Sequence, residues 1–133
     1  MVQSVDVRLT HPVGAEAVYI KHPAELPLGG RIMAGHYRLV ALYGVTTSPS
    51  LGALGEQNPP ASAERIAKLA KAYQVYSKQK IMPTFELIAS VASASPTRDH
   101  DYSKEASVAS LKPIIDFAAE RHIYVILDLQ PGR

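Results

Sequence analysis

The sequence contains no cysteine, which excludes disulfide scaffolds, cysteine zinc sites and thiol nucleophiles. It also lacks any apolar run near roughly 18 residues, so no membrane-spanning helix is expected. The opening residues, MVQSVDVRLT, lack the basic-then-apolar pattern of a secretion signal. The compartment therefore stays open, and a secreted or cell-envelope location would require a signal that this chain does not carry.

A strong charge bias is missing as well. The net charge is +2 with the histidines neutral, which is too small to indicate nucleic acid or an acidic membrane surface as a partner. The segment 52–56 lacks the spacing of a phosphate-binding loop, and no serine lies in a GxSxG elbow. Asp99, His100 and Asp101 have the side chains of a divalent-metal site. Adjacent residues rarely all reach one ion, however, and no fourth ligand is identifiable, so they indicate a solvated loop. We predict neither a cofactor nor a metal.

The composition is that of a folded domain. Of the 133 residues 47% are hydrophobic and 20% are charged, which is enough apolar material for one core. The N-terminal part holds two short strand candidates and a loop dense in proline and glycine. We therefore expect an irregular segment over 1–35 and a folded domain over 36–133.

Three apolar runs predict buried strands, and two amphipathic segments between them predict helices. The predicted strands are Arg38–Val45, Ile81–Val91 and Ile123–Leu129. The first helix should run from its cap, Ser62, to about Lys78, and the second from Leu111 to Arg121. We expect Ser110 to cap the second helix, because Pro113 suits a first turn. This alternation predicts a parallel β-α-β-α-β sheet of the α/β class.

The strand order decides how such a sheet is completed. Strand–helix–strand crossovers are right-handed, so strands in chain order would place both helices on one face. The other face would then need a cover. The chain could be the first part of a TIM-type (β/α)8 barrel, or the N-terminal segment or a partner chain could cover the face. Alternatively, the order 2-1-3 would give a small doubly wound sheet with one helix on each face.

The spacing favours the barrel. Tyr43, Glu86 and Asp128 each lie late in a strand, 43 and 42 residues apart. Eight such units would make about 340 residues, a length seen in eight-stranded barrels with insertions. The loops that follow the strands are long, as in barrel enzymes, where these loops build the active site. We therefore predict the first three strands of an incomplete barrel.

Four stretches carry a resemblance: LVALYG, SPSLGALGE, MPTFELIASVAS and YVILDLQPGR. They resemble a group of uncharacterised bacterial, mainly actinobacterial, proteins with a glycosidase-like (β/α) barrel. The resemblance covers about 35–133 and thus the N-terminal part of such a barrel. It implies that further strand–helix units follow in longer members, while the group implies no specific activity.

Five residues near the strand ends are candidates for a site. Glu86 and Asp128 are carboxylates in or beside apolar strands, where an ionised group needs a partner or a polar cleft. Two such carboxylates fit the acid and base of glycoside cleavage. Tyr43 could stack on a sugar ring, Gln130 shares a strand face with Asp128, and Arg133 could bind an anionic group.

Three functions follow from these observations. The first is a glycoside-hydrolase-like barrel acting on a carbohydrate or a cell-envelope polymer, with hydrolase activity dependent on the remaining strands. The second is a non-catalytic fragment or binding module, completed by a second copy or another chain that covers the open sheet face. The third is a small doubly wound domain that binds a ligand at its strand crevice.

Overall fold

The computed structural model describes residues 37–130, so Arg133 and the predicted segment 1–35 lie outside the described residues. The strands are β1 (Tyr37–Gly44), β2 (Lys80–Ala92), β3 (Ser103–Glu105) and β4 (Tyr124–Leu129), and the helices are α1 (Pro59–Gln74) and α2 (Val108–Glu120). Two short 3₁₀ turns, Pro49–Leu51 and Ala53–Gly55, lie in the loop between β1 and α1. The α/β class predicted from the alternation is therefore confirmed.

The sheet has four strands with β2 at its centre. β1 and β4 both pair with β2 in parallel, and they lie on its two edges because their pairings overlap along β2. The alternative order 2-1-3, and with it the small doubly wound sheet, is therefore wrong, because the three parallel strands follow chain order. A wholly parallel sheet is also wrong, because β3 pairs antiparallel with the carboxyl end of β2. β3 was not predicted, because three residues are too few to show a recognisable apolar pattern.

Both helices cover the same face of the sheet, as right-handed crossovers require. The buried core joins Phe85 and Leu87 of β2 to residues of both helices. Its other members are Leu42, Leu54, Ile66, Ile114, Ala118 and Ile123. Since side chains alternate along a strand, Tyr43, Thr84 and Glu86 lie on the opposite face. We call this the second face of the sheet.

The helices begin earlier than the sequence predicts. Asn58 caps α1 by accepting a hydrogen bond from the Ala61 amide at 3.0 Å, with two prolines in the first turn. The predicted cap, Ser62, lies inside the helix, where its buried hydroxyl donates to the Leu54 carbonyl. Ser107 caps α2, and Pro113 sits in the second turn of one continuous helix. The helix tolerates this proline because tertiary packing outweighs one missing hydrogen bond.

Pro83 is the fourth residue of the central strand, near its start. It pairs with Val40 of β1, whereas β4 pairs with β2 only from Thr84 onwards. At Pro83 the strand therefore has a neighbour on one side alone among the described residues. A missing backbone donor costs little at such a position.

Candidate functional site

Three of the predicted site residues meet at the carboxyl ends of the parallel strands. The Tyr43 hydroxyl donates to Asp128 Oδ2 at 3.2 Å. Gln130 Nε2 donates to the Tyr43 hydroxyl oxygen at 2.9 Å and to Asp128 Oδ2 at 3.1 Å. The three side chains form a closed triangle of hydrogen bonds, which we call the Tyr–Asp–Gln cluster. Three of the five candidate residues thus lie in contact, and the face shared by Asp128 and Gln130 is present in the structure.

The strand register explains the cluster. Tyr43 is aligned with Glu86, and Asp128 is aligned with Ile88 on the other edge of β2. β1 and β4 are therefore about 10 Å apart, two strand spacings. The long tyrosine side chain extends over β2 to reach the carboxylate. A shorter side chain at position 43 could not bridge this distance.

Glu86 lies between the partners of the cluster. It is the direct cross-strand neighbour of Tyr43, and it is diagonal to Asp128, since Glu86 itself is aligned with Ile126. The side chain is half-buried and forms no hydrogen bond or ion pair with any residue in 37–130. A half-buried carboxylate needs a partner or contact with solvent, because burying an unpaired charge is costly.

A β-bulge holds the end of β4 in place. Ile88 is aligned with Asp128, but Ser90 is aligned with Leu129, so Ala89 is the extra residue on β2. Ser90 then binds the backbone of Gln130 twice: its hydroxyl donates to the Gln130 carbonyl at 3.2 Å, and its carbonyl accepts from the Gln130 amide at 3.3 Å. These bonds fix the backbone from which the Gln130 side chain reaches the cluster.

The loop after β1 packs against the backbone of Tyr43. Gly44 and Gly52 have φ values of 138° and 117°, conformations that L side chains rarely adopt. A Cβ on Gly52 would collide with the Tyr43 carbonyl oxygen, and one on Gly44 would collide with the Leu51 carbonyl oxygen. The two backbone segments therefore lie directly against each other, and only glycine fits at the contact.

The electrostatics of the cluster raise the pKa of Tyr43. Partial desolvation raises the pKa of the Tyr43 hydroxyl above its ordinary 10.0, although the residue is 38% exposed. The hydrogen bond to Asp128 and the negative charge of that carboxylate raise it further, and the Glu86 charge adds a smaller rise. The Gln130 amide acts the other way, because its N–H would stabilise the phenolate. At neutral pH Tyr43 is thus a hydrogen-bond donor.

Removing the Asp128 charge tests this arrangement. We expect Asp128→Asn to lower the pKa of Tyr43 towards 10.0, because the charge that opposes the phenolate is gone. A raised folded-state pKa contributes stability that is present below the unfolded value and is lost as pH rises through the folded value. The alkaline loss of stability should therefore be smaller in the variant.

The tyrosine Cζ resonance, followed by NMR against pH and assigned with Tyr43→Phe, measures this pKa. Asp116→Asn is the matched control, because that exposed aspartate lies on α2 and pairs with Lys112. Equal Tyr43 pKa values in Asp128→Asn and the unmodified protein would contradict the assignment.

The second polar group of the sequence forms a loop of its own. The Thr97 hydroxyl lies 2.6 Å from Asp99 Oδ1 and 2.7 Å from Asp101 Oδ1. Its hydrogen bond to the Asp99 carboxylate lowers the pKa of Asp99 below the ordinary 3.8. Within 37–130, no group of three or more histidine, cysteine, aspartate or glutamate side chains is arranged to hold a metal ion. The expected solvated loop at 99–101 agrees with their exposure.

Sequence reasoning missed the residues that support the cluster. Ser90 and Gly52 contact the backbone of Gln130 and Tyr43, respectively. The paired glycines of the loop were a usable signal, because glycine marks close backbone approach. The bulge at Ala89 had no signal, since 86–92 contains no glycine or other residue typical of a bulge.

The chain was compared with family models, with curated proteins and with solved structures, and none of them matches it. No described helix is long and apolar enough to cross a membrane.

Proposed function

We propose that this chain supplies the first three parallel strands of a glycoside-hydrolase-like (β/α) barrel and that the Tyr–Asp–Gln cluster binds sugar hydroxyls. The observation that carries the proposal is the location of the cluster on the second face, at the carboxyl ends of three parallel strands. In barrels this face is the lumen, and that end of it is the active-site end.

The edge strand β4 supports continuation of the sheet. Among the described residues only β2 pairs with β4, so its other edge is unpaired. Leu127 and Leu129 on this strand are exposed. An apolar edge of this kind needs a neighbour to avoid aggregation. A following strand–helix unit would pair with the edge and cover both leucines.

The cluster has the chemistry of a saccharide subsite. Asp128 Oδ2 already accepts two hydrogen bonds, which orient the carboxylate and leave Oδ1 to accept from a sugar hydroxyl. Tyr43 can present its exposed ring to a sugar face. Glu86, which has no partner within 37–130, is our candidate for the acid that protonates the glycosidic oxygen. Asp128 would then act as base or orient the substrate, and Gln130 would bind substrate.

A saccharide titration tests the proposal. Cello-, chito- and xylo-oligosaccharides are added to the isotope-labelled chain, and amide shifts are followed by NMR. We expect one of these series to shift the amides of 128–130 and 43–44. Asp128→Asn should weaken that binding about tenfold or more, because a hydrogen bond to a charged group contributes about 1.5–3 kcal/mol. Tyr43→Phe should weaken it less.

Tyr76→Phe and Glu64→Gln are matched controls, because both residues are exposed on α1 or just after it, away from the cluster. They should leave saccharide binding unchanged. Shifts scattered over the surface, or equal losses in the control variants, would contradict the proposal.

The exposed leucines of β4 also favour a second candidate, a non-catalytic module completed by a second chain. A defined dimer in light scattering, with no saccharide response at 128–130, would support this candidate over the first.

A further inference from the structure

The end of α1 carries exposed apolar side chains far from the Tyr–Asp–Gln cluster. Val75 is 77% exposed and Tyr76 is 86% exposed, and Tyr73 one turn earlier is also exposed. Tyr73 lies in the last turn of α1, and Val75 and Tyr76 follow it before the amino end of β2, opposite to the carboxyl ends that form the cluster. We call these three residues the helix-end patch. A connecting turn is normally polar, so adjacent exposed apolar residues here need an explanation.

Lysines flank the helix-end patch in the sequence. Lys68 and Lys71 precede it, Lys78 and Lys80 follow it, and all four side chains are exposed. Lys68, Lys71 and Val75 are spaced i, i+3 and i+7, so they share one face of the helix. None of the four lysines forms an ion pair with another described residue. The segment 66–85 contains no aspartate or glutamate, and Glu64, one turn before Lys68, is the nearest acidic residue that precedes it in the sequence.

The turn that presents the patch is held by hydrogen bonds. Gln74 Nε2 donates to the carbonyls of Ser77 and Gln79, each at 3.0 Å. Gln74 Oε1 accepts from the Ile81 amide at 2.9 Å, which ties the helix end to β2. Gln79 also stabilises the turn, because its Oε1 accepts a hydrogen bond from Arg38 Nε at 2.6 Å. Val75 and Tyr76 therefore project from an ordered backbone, which lowers the entropy cost of binding.

We propose that the helix-end patch, with its four lysines, binds the surface of an anionic phospholipid bilayer. Tyrosine is suited to the membrane interface because its ring is apolar and its hydroxyl is polar. Valine contributes apolar area that enters the headgroup boundary, and clustered lysines are attracted to anionic headgroups. The small net charge of the whole chain does not oppose this, because the charge at the patch is local.

A single-stranded nucleic acid fits the patch less well. Such partners stack bases on aromatic rings, but Val75, at the middle of the patch, has no ring. Arginine is the residue that binds phosphates in two-point geometry. Four of the cations near the patch are lysines, and the one arginine at the turn, Arg38, is already hydrogen-bonded to Gln79. The mixture of aliphatic, tyrosine and lysine side chains therefore favours the bilayer.

Co-sedimentation of the full chain with vesicles tests the proposal. Vesicles of phosphatidylcholine alone are compared with vesicles of phosphatidylcholine and phosphatidylglycerol, at low and high salt. We expect binding to the mixed vesicles, little binding to the neutral ones, and loss at high salt. Lys71→Gln with Lys78→Gln should weaken partitioning about 30-fold, because each lysine contributes roughly fivefold. Val75→Ser with Tyr76→Ser should also weaken it.

The matched controls remove the same types of side chain elsewhere. Arg98→Gln with Lys104→Gln removes two exposed cations from the 97–105 region, and Val108→Ser removes an exposed valine from α2. Both controls should bind vesicles like the unmodified chain, and circular dichroism verifies that every variant is folded. The proposal is overturned by absence of binding to the mixed vesicles or by equal losses in patch and control variants. It is also overturned if a single-stranded oligonucleotide binds the patch while vesicles do not.

Discussion

Phe85→Ala is expected to lower the free energy of unfolding by about 3–5 kcal/mol, the usual cost of deleting a buried phenylalanine ring. Phe85 is 0% exposed and lies at the middle of the central strand. It is aligned with Leu42 on one side and Val125 on the other, under both helices. No neighbouring element can move into the space alone, because each is held by the same sheet.

Urea unfolding followed by circular dichroism measures this loss. Leu129→Ala is the control, because Leu129 is a large apolar residue of the same sheet but is 69% exposed. We expect the control to change the free energy of unfolding by less than about 1 kcal/mol. A similarly small loss for Phe85→Ala would show that the buried core is not organised around this strand.

Gly52→Ala is expected to destabilise the protein by about 2–4 kcal/mol, from backbone strain and a steric collision together. Gly52 has φ 117° and ψ 167°, a region that is essentially restricted to glycine. The added methyl group would also collide with the Tyr43 carbonyl oxygen, which belongs to a strand and cannot yield easily.

Ser50→Ala is the neighbouring control, since Ser50 is exposed and its hydroxyl bonds only to Ser48 among the described residues. It should cost less than about 1 kcal/mol. Urea unfolding measures the free energy of unfolding of both variants. The NMR resonances of the Tyr43 ring should shift in Gly52→Ala and stay unchanged in Ser50→Ala. A Gly52→Ala protein as stable as the control would mean that the loop does not press against β1.

The sequence predicts the main elements of the fold because their signals are local. The apolar runs at 38–45 and 123–129 match β1 and β4 closely, and right-handed crossovers place both helices on one face. The helix starts are wrong because capping depends on competition among nearby polar residues: Asn58 precedes two prolines and outcompetes Ser62. The antiparallel β3 has three residues, too few for any period to appear.

The site is predicted in part for a similar reason. The carboxyl ends of parallel strands meet at one edge, so Tyr43 and Asp128 could be placed together from position alone. Their hydrogen bond could not be predicted, because it depends on a tyrosine that extends across β2 and on a bulge that carries no sequence mark. The helix-end patch could not be predicted, because the periodicity extends the first helix to about Lys78, whereas α1 ends at Gln74 and leaves Val75 and Tyr76 in an exposed turn.

The Gln74 side chain restricts what could replace it. Its amide supplies two N–H bonds and one acceptor to the main chain at the same time. Glutamate has the same length but no donor at neutral pH, lysine has no acceptor, and asparagine is one methylene shorter. Each would leave at least one main-chain group of the turn unsatisfied. Position 74 therefore requires a primary amide on a side chain of glutamine length. This is unusual for the exposed end of a helix, where one polar residue can generally replace another.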